Sequence, residues 1–95
     1  METKNLYSLF TSSKGVSIDT RNLVRGQIFF SLKGENFNGN NFALEALEKG
    51  ASFSVIDDKS ILNKNQNLIY VDDSLKSLQE LSSYHRSQFD TKIIG

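Results

Sequence analysis

The sequence predicts an α/β fold: a mostly parallel or mixed sheet of about five short strands, flanked by helices, in one small domain. Three observations carry this. Short apolar, β-branched or aromatic runs alternate with segments of helical periodicity, the pattern of βα units. The intervening turns are rich in Gly, Asn, Asp and Ser, with no repeat, low-complexity segment or linker. Finally, 95 residues with 38% hydrophobic content suit one globule with a modest core.

The elements follow in order. Leu6, Leu9 and Phe10 share a helical face, so residues 4–11 form a first helix that stops in Thr11-Ser12-Ser13-Lys14-Gly15. Val16 to Asp19 is a short strand, and Val24-Arg25-Gly26 a turn. Gln27-Ile28-Phe29-Phe30-Ser31-Leu32 carries the strongest strand signal, being aromatic and β-branched. The polar stretch Lys33–Asn41 reads as a loop. Phe42, Ala43, Ala46 and Leu47 then mark a helix, with Asn40 or Asn41 as N-cap and Gly50 at the position that favours positive φ. Ser52–Ile56 is a strand, Asp57-Asp58-Lys59 a turn, and Leu68–Val71 another strand. Asp72-Asp73-Ser74 offers cap oxygens and favourable charge to a helix on which Leu75, Leu78, Leu81, His85 and Phe89 recur to about residue 89. Lys92-Ile93-Ile94-Gly95 reads as the opening of a fifth strand, so a cut in a longer chain is expected there.

Composition excludes several function classes. Eleven basic residues balance eleven acidic ones, and the pI is near 6.6, which argues against nucleic acid as a partner. No cysteine means no disulfide, thiolate nucleophile or thiolate metal site, and a single His leaves no His-based metal cluster. No apolar run approaches the roughly 18 residues of a membrane span, and Leu6–Phe10 is too brief for a signal-peptide core. A cytoplasmic setting without membrane partners is the expectation.

The remaining chemistry is that of binding. Gly34-Glu35-Asn36-Phe37-Asn38-Gly39 has the G-x-x-x-x-G spacing of a phosphate loop, but Asn40 and Asn41 stand where Lys and Ser/Thr would have to be. Such a segment can offer backbone N–H groups and amides to a uracil edge or a phosphate, or it can simply be a turn built of αL-tolerant residues. Asp19-Thr20-Arg21 can hold a diphosphate through its hydroxyl and guanidinium, or be an Asx turn with a surface Arg. Asp57-Asp58 and Asp72-Asp73 are best read as turn and cap residues, and His85 as a packed or solvated helix residue. No catalytic or metal-ligating set is present.

Taken in register, four segments resemble the N-terminal domain of the Mur ligases, most nearly the MurF type. They are Val16-Ser17-Ile18-Asp19-Thr20-Arg21, Gly26–Phe42, Ala46-Leu47-Glu48-Lys49-Gly50-Ala51, and Val71-Asp72-Asp73-Ser74-Leu75 with Leu78-Gln79-Glu80-Leu81. The family pattern is (S/T)-D-(S/T)-R, L-F-F-A-L-K-G-E-x-F-D-G-H-x-F, A-x-x-x-G-A and V-x-D-x-L…L-Q-x-L. The resemblance implies a domain that holds the UDP end of UDP-N-acetylmuramoyl-tripeptide for a ligase adding D-alanyl-D-alanine. ATP and Mg2+ would belong to the parent enzyme, and this chain would carry no cofactor and stop before the phosphate loop. Its partners would be the substrate and the remaining ligase domains. It further implies substrate-binding roles for Thr20, Arg21, Gly34, Glu35, Asn36, Phe37 and Asn40, with Asp19, Asn38 and Gly39 bracing the loop. Asn38 stands for the usual Asp, Asn40 for His, Ile18 for a small hydroxyl residue and Ser31 for Ala. The alternatives are the preceding Mur ligase, which adds the third amino acid, and a non-enzymatic βα interaction module.

Overall fold

The computed structural model describes residues 3–34 and 37–94. Four parallel strands form the sheet in chain order: β1 (Val16–Ser17), β2 (Ile28–Phe30), β5 (Phe53–Ile56) and β6 (Leu68–Tyr70). Val16 pairs with Ile28, Ile28 with Phe53, and Ser54 with Leu68. A separate antiparallel hairpin, β3 (Lys33–Gly34) and β4 (Phe37–Asn38), stands beyond the end of β2. The expected loop between Lys33 and Asn41 is therefore partly a strand pair.

Alternation within the strands sorts side chains to the two faces. Ile28, Phe30, Val55 and Ile69 point to one face, where they meet Leu6 of helix α1 (Thr3–Thr11) and Leu81 of helix α3 (Ser74–Ile94). Phe29 and Ile56 point to the other, against Ala46 and Ala43 of the short helix α2 (Ala43–Glu48). The alanines let α2 lie close to the sheet, and the buried Ser54 hydroxyl donates to the Ala43 carbonyl at 2.7 Å. All three residues of β2 are buried, so the strongest strand signal in the sequence marks a strand covered on both faces.

Helix α2 ends as expected: Gly50 adopts φ +112°, and its N–H donates to the Leu47 carbonyl. Its start differs from expectation. Neither Asn40 nor Asn41 caps it; a 3-10 turn, Gly39–Phe42, leads in, and that turn is capped by Asn38. The fifth strand is corrected as well, since Lys92–Ile94 continues α3. The Asp73 carboxylate accepts from the Lys76 N–H at 3.1 Å and starts the helix, and neither Gly nor Pro interrupts it before Gly95, which lies outside the described residues. Tyr84 and His85 are half-buried on α3, His85 packed as one of its two expected settings: Tyr7 and Tyr84 rings lie 4.8 Å apart, and Tyr7 Oη lies 3.1 Å from His85 Nδ1.

Ser31 follows β2 fully buried, and its hydroxyl has no hydrogen-bond partner among the described residues. Removing an unsatisfied buried hydroxyl recovers its desolvation cost. Ser31→Ala is therefore expected to leave stability unchanged or raise it by about 1 kcal/mol, as read by urea denaturation followed by circular dichroism.

Candidate functional site

In parallel sheets the carboxyl ends of the strands gather the loops that hold ligands. Here β1 and β2 are adjacent, and their carboxyl ends deliver the two segments singled out in the sequence to one edge. After β1, Asp19 in extended conformation caps the 3-10 turn Thr20–Asn22, its carboxylate accepting from the Arg21 N–H at 2.8 Å. The Arg21 guanidinium folds back on the same carboxylate, at 3.1 Å from Nε and 2.9 Å from Nη2. These hydrogen bonds, with the positive charge behind them, hold the Asp19 carboxyl below its ordinary value and push Arg21 up. The Arg21 side chain is 85% exposed, so the pair is a weak surface one, and a ligand phosphate would compete with Asp19 for it.

Thr20 is the buried member of this turn. Its hydroxyl has no hydrogen-bond partner among the described residues, while its carbonyl accepts from Lys49 Nζ at 3.2 Å. It lines a cleft of about 500 Å³ with Ile18, Asp19, Arg21, Phe29 and Phe42. Two aromatic rings and the half-exposed Ile18 give this cleft apolar walls, and the Asp19–Arg21 turn gives it a polar rim.

After β2, the hairpin brings the second segment. Gly34 pairs with Phe37 and Lys33 with Asn38; Glu35 and Asn36 lie outside the described residues. Gly34 ends β3 and Gly39 opens the 3-10 turn, so the two glycines are separated by a strand and do not form a phosphate-cradling loop. Asn38 Oδ1 accepts from the backbone N–H of Asn40 at 3.0 Å and from its Nδ2 at 2.8 Å. Asn40 Nδ2 also donates to Asp57 Oδ1 at 2.7 Å, and Asn40 Oδ1 accepts from the Asp57 N–H at 3.1 Å. Asn40, expected to contact substrate, is 5% exposed, with its side-chain nitrogen and oxygen engaged by Asn38 and Asp57. Through the turn it positions Phe42 in the cleft wall.

Sequence reasoning missed Phe29 and Phe42 as walls, and Asp57 as a brace. Asp57 follows β5, which lies beside β2, so its place after a parallel strand was the available signal. Burial alone would raise its carboxyl; hydrogen bonds from Asn40 and from the Ser74 N–H, with Lys33 Nζ at 3.4 Å, outweigh this and lower it. Asp58 is lowered by the Ser60 hydroxyl and N–H. Since Asp19, Asp57 and Asp58 all sit below their ordinary value of 3.8 in the folded state, their stabilisation is complete above that pH and lost as pH falls through the lower folded values. Acid titration should show these contributions intact down to about pH 5 and failing below about pH 4; Asp57→Asn should flatten that acid limb.

Residues 12–86 match the family described as Mur ligase family, catalytic domain. The chain belongs to the Mur ligase family. A relative from Bacillus subtilis (strain 168), a UDP-N-acetylmuramoyl-tripeptide–D-alanyl-D-alanine ligase, is 41% identical over 83 residues, covering 85% of this chain and 18% of the relative. A Rickettsia felis UDP-N-acetylmuramoyl-L-alanyl-D-glutamate–2,6-diaminopimelate ligase is 35% identical over 78 residues, covering 80% and 15%. Among solved structures, the MurF ligase from Thermotoga maritima in complex with ADP has a TM-score of 0.65 at 26% identity, over 77% of this chain and 16% of that one. A MurF structure from Acinetobacter baumannii reaches a TM-score of 0.71 at 22% identity over 90% and 21%, a likeness of fold. This Mur ligase chain thus spans about a fifth or less of the length of those proteins. No helix among its described residues is long and apolar enough to cross a membrane.

Proposed function

We propose that this chain is the N-terminal UDP-substrate-binding domain of a D-alanyl-D-alanine-adding Mur ligase. The observation that carries the reading is the cleft between the turn after β1 and the segment after β2, lined by Thr20, whose hydroxyl has no partner among the described residues. Thr20 would meet the diphosphate, Arg21 would join it by trading Asp19 for phosphate oxygens, and the Gly34–Phe37 segment would offer backbone groups to the uracil. The 41% identity to the Bacillus subtilis ligase and the likeness to the Thermotoga maritima MurF support the D-alanyl-D-alanine type, while a Rickettsia conorii diaminopimelate ligase is 39% identical.

In this reading the domain performs no covalent step. It binds the part of UDP-N-acetylmuramoyl-tripeptide farthest from the reacting carboxylate, and that remote binding energy positions the carboxylate in the parent enzyme. ATP, Mg2+ and the amine-bearing dipeptide are assigned to the rest of the parent chain, and the product to peptidoglycan precursor synthesis in the cytoplasm. Calorimetry with UDP and with UDP-N-acetylmuramoyl-tripeptide tests this: binding between micromolar and millimolar is expected, weakened about tenfold by Thr20→Ala through one lost charge-assisted hydrogen bond. No heat of binding at millimolar ligand, from a chain with native circular dichroism, would refute the assignment.

A further inference from the structure

We propose that Asp57, which lines no part of the cleft, is the positioning residue that holds the hairpin and the Gly39–Phe42 turn in the geometry that receives the ligand. The proposal rests on the UDP-binding reading and deepens it. Four elements converge on this residue. Its Oδ1 accepts from Asn40 Nδ2 at 2.7 Å and pairs with Lys33 Nζ of β3 at 3.4 Å. Its Oδ2 accepts from the Ser74 N–H at 3.3 Å, at the first residue of α3. Its own N–H returns to Asn40 Oδ1 at 3.1 Å, immediately after β5.

The arrangement has a physical logic. The Asp57 side chain is 11% exposed against 55% for Lys33, so the carboxylate sits inside the edge of the fold and its cation outside. As a charged acceptor, the carboxylate there is held by the hydrogen bond from Asn40 and by the N–H at the positive end of a long helix, both stronger than neutral contacts. Among the described residues the Asn40 side chain bonds to Asn38 and to Asp57, and Asp57 is the one of the two that adjoins the four-stranded sheet; Asn40 lies within the turn that ends at the cleft residue Phe42. Fixing that turn before the ligand arrives spares the ordering entropy that binding would otherwise have to overcome. The neighbouring Asp58 does something different and local, capping the turn Lys59–Lys64 through Ser60.

The test uses the whole 95-residue chain. Amide exchange is followed at Gly39 and Asn40, whose N–H groups donate to Leu32 O and Asn38 Oδ1, and at Ser54, whose N–H donates to Asn67 O within the sheet. UDP affinity is measured in parallel by calorimetry. Asp57→Ala should speed exchange at Gly39 and Asn40 while leaving Ser54 protected, and weaken UDP binding by about tenfold. Asp57→Asn, which keeps the shape and one acceptor oxygen, should recover part of both. Asn40→Ala should reproduce the Asp57→Ala effect and add little to it in the double variant, because the two residues act through one contact. Exchange that does not change, or that rises equally at Ser54, overturns the proposal, as does a loosened segment with undiminished UDP affinity. A wild-type chain that takes up no UDP defeats the ligand reading and the ligand-receiving part of this one. The exchange pattern then decides separately whether Asp57 anchors the segment.

Discussion

Gly39→Ala is expected to destabilise the fold by about 3 kcal/mol or more, lowering the melting temperature by roughly 12 °C or more for a domain of this size. The reason is steric. A Cβ at residue 39 would lie 2.6 Å from the Leu32 nitrogen, 2.7 Å from its carbonyl oxygen and 2.9 Å from the Ser31 carbonyl carbon. All three are backbone atoms at the end of the central strand β2, and no side-chain rotation relieves the contact. The same close approach lets the Gly39 N–H donate to the Leu32 carbonyl at 2.7 Å. Since Gly39 has no positive φ, Asn or Ser should rescue nothing here. At Gly50, with φ +112° and an added Cβ 2.9 Å from Arg25 Cγ, any side chain should be strained. Thermal unfolding followed by circular dichroism suits a chain with no Trp, and an Ala variant that melts within a few degrees of wild type would contradict the geometry.

Phe29→Ala is expected to cost about 3–5 kcal/mol, a large share of the roughly 5–15 kcal/mol available to a small domain. It should also abolish ligand binding. Phe29 is 1% exposed, packs on Ala46 and Ala51 of the α2 side, and lines the cleft beside Phe42. Its removal leaves a void that opens into the site. Phe30→Ala is the control: a loss of the same size on the opposite face, among Leu6, Ile28 and Leu81. Its folded fraction at low temperature should retain UDP affinity, whereas that of Phe29→Ala should not. Equal retention by both would remove Phe29 from the site.

The fold was legible where burial and periodicity coincide. Gln27–Leu32 read as a strand from its aromatic and β-branched run, and Phe42, Ala43, Ala46 and Leu47 as a helix from their spacing; both elements are present. The hairpin was illegible because Lys33, Gly34, Phe37 and Asn38 show no apolar alternation, and two paired residues per strand leave no pattern. Ile93-Ile94 misled through β-branched composition; among the described residues no strand pairs with it, and the helix begun at Asp73 continues. At the site, Asp19-Thr20-Arg21 was found because a short polar turn after a strand is a local signal. Asp57 and Asp58 are identical in type and adjacent in sequence, yet one turns inward to Asn40 and the other caps a turn. Only the neighbour relation of β2 and β5 separates them, and that relation is tertiary.

The order of strands in the sheet is also their order along the chain, and this shapes how the domain assembles and comes apart. Each strand joins the one made just before it, so no ladder requires the closure of a very long loop or insertion between strands already paired. The contact between α1 and α3 is of another kind: Tyr7 and His85 meet across 78 positions. That seam closes against the largest loop entropy, on a sheet already complete. It is expected to form late in folding and to part first in unfolding, leaving the cleft on the far side of the sheet.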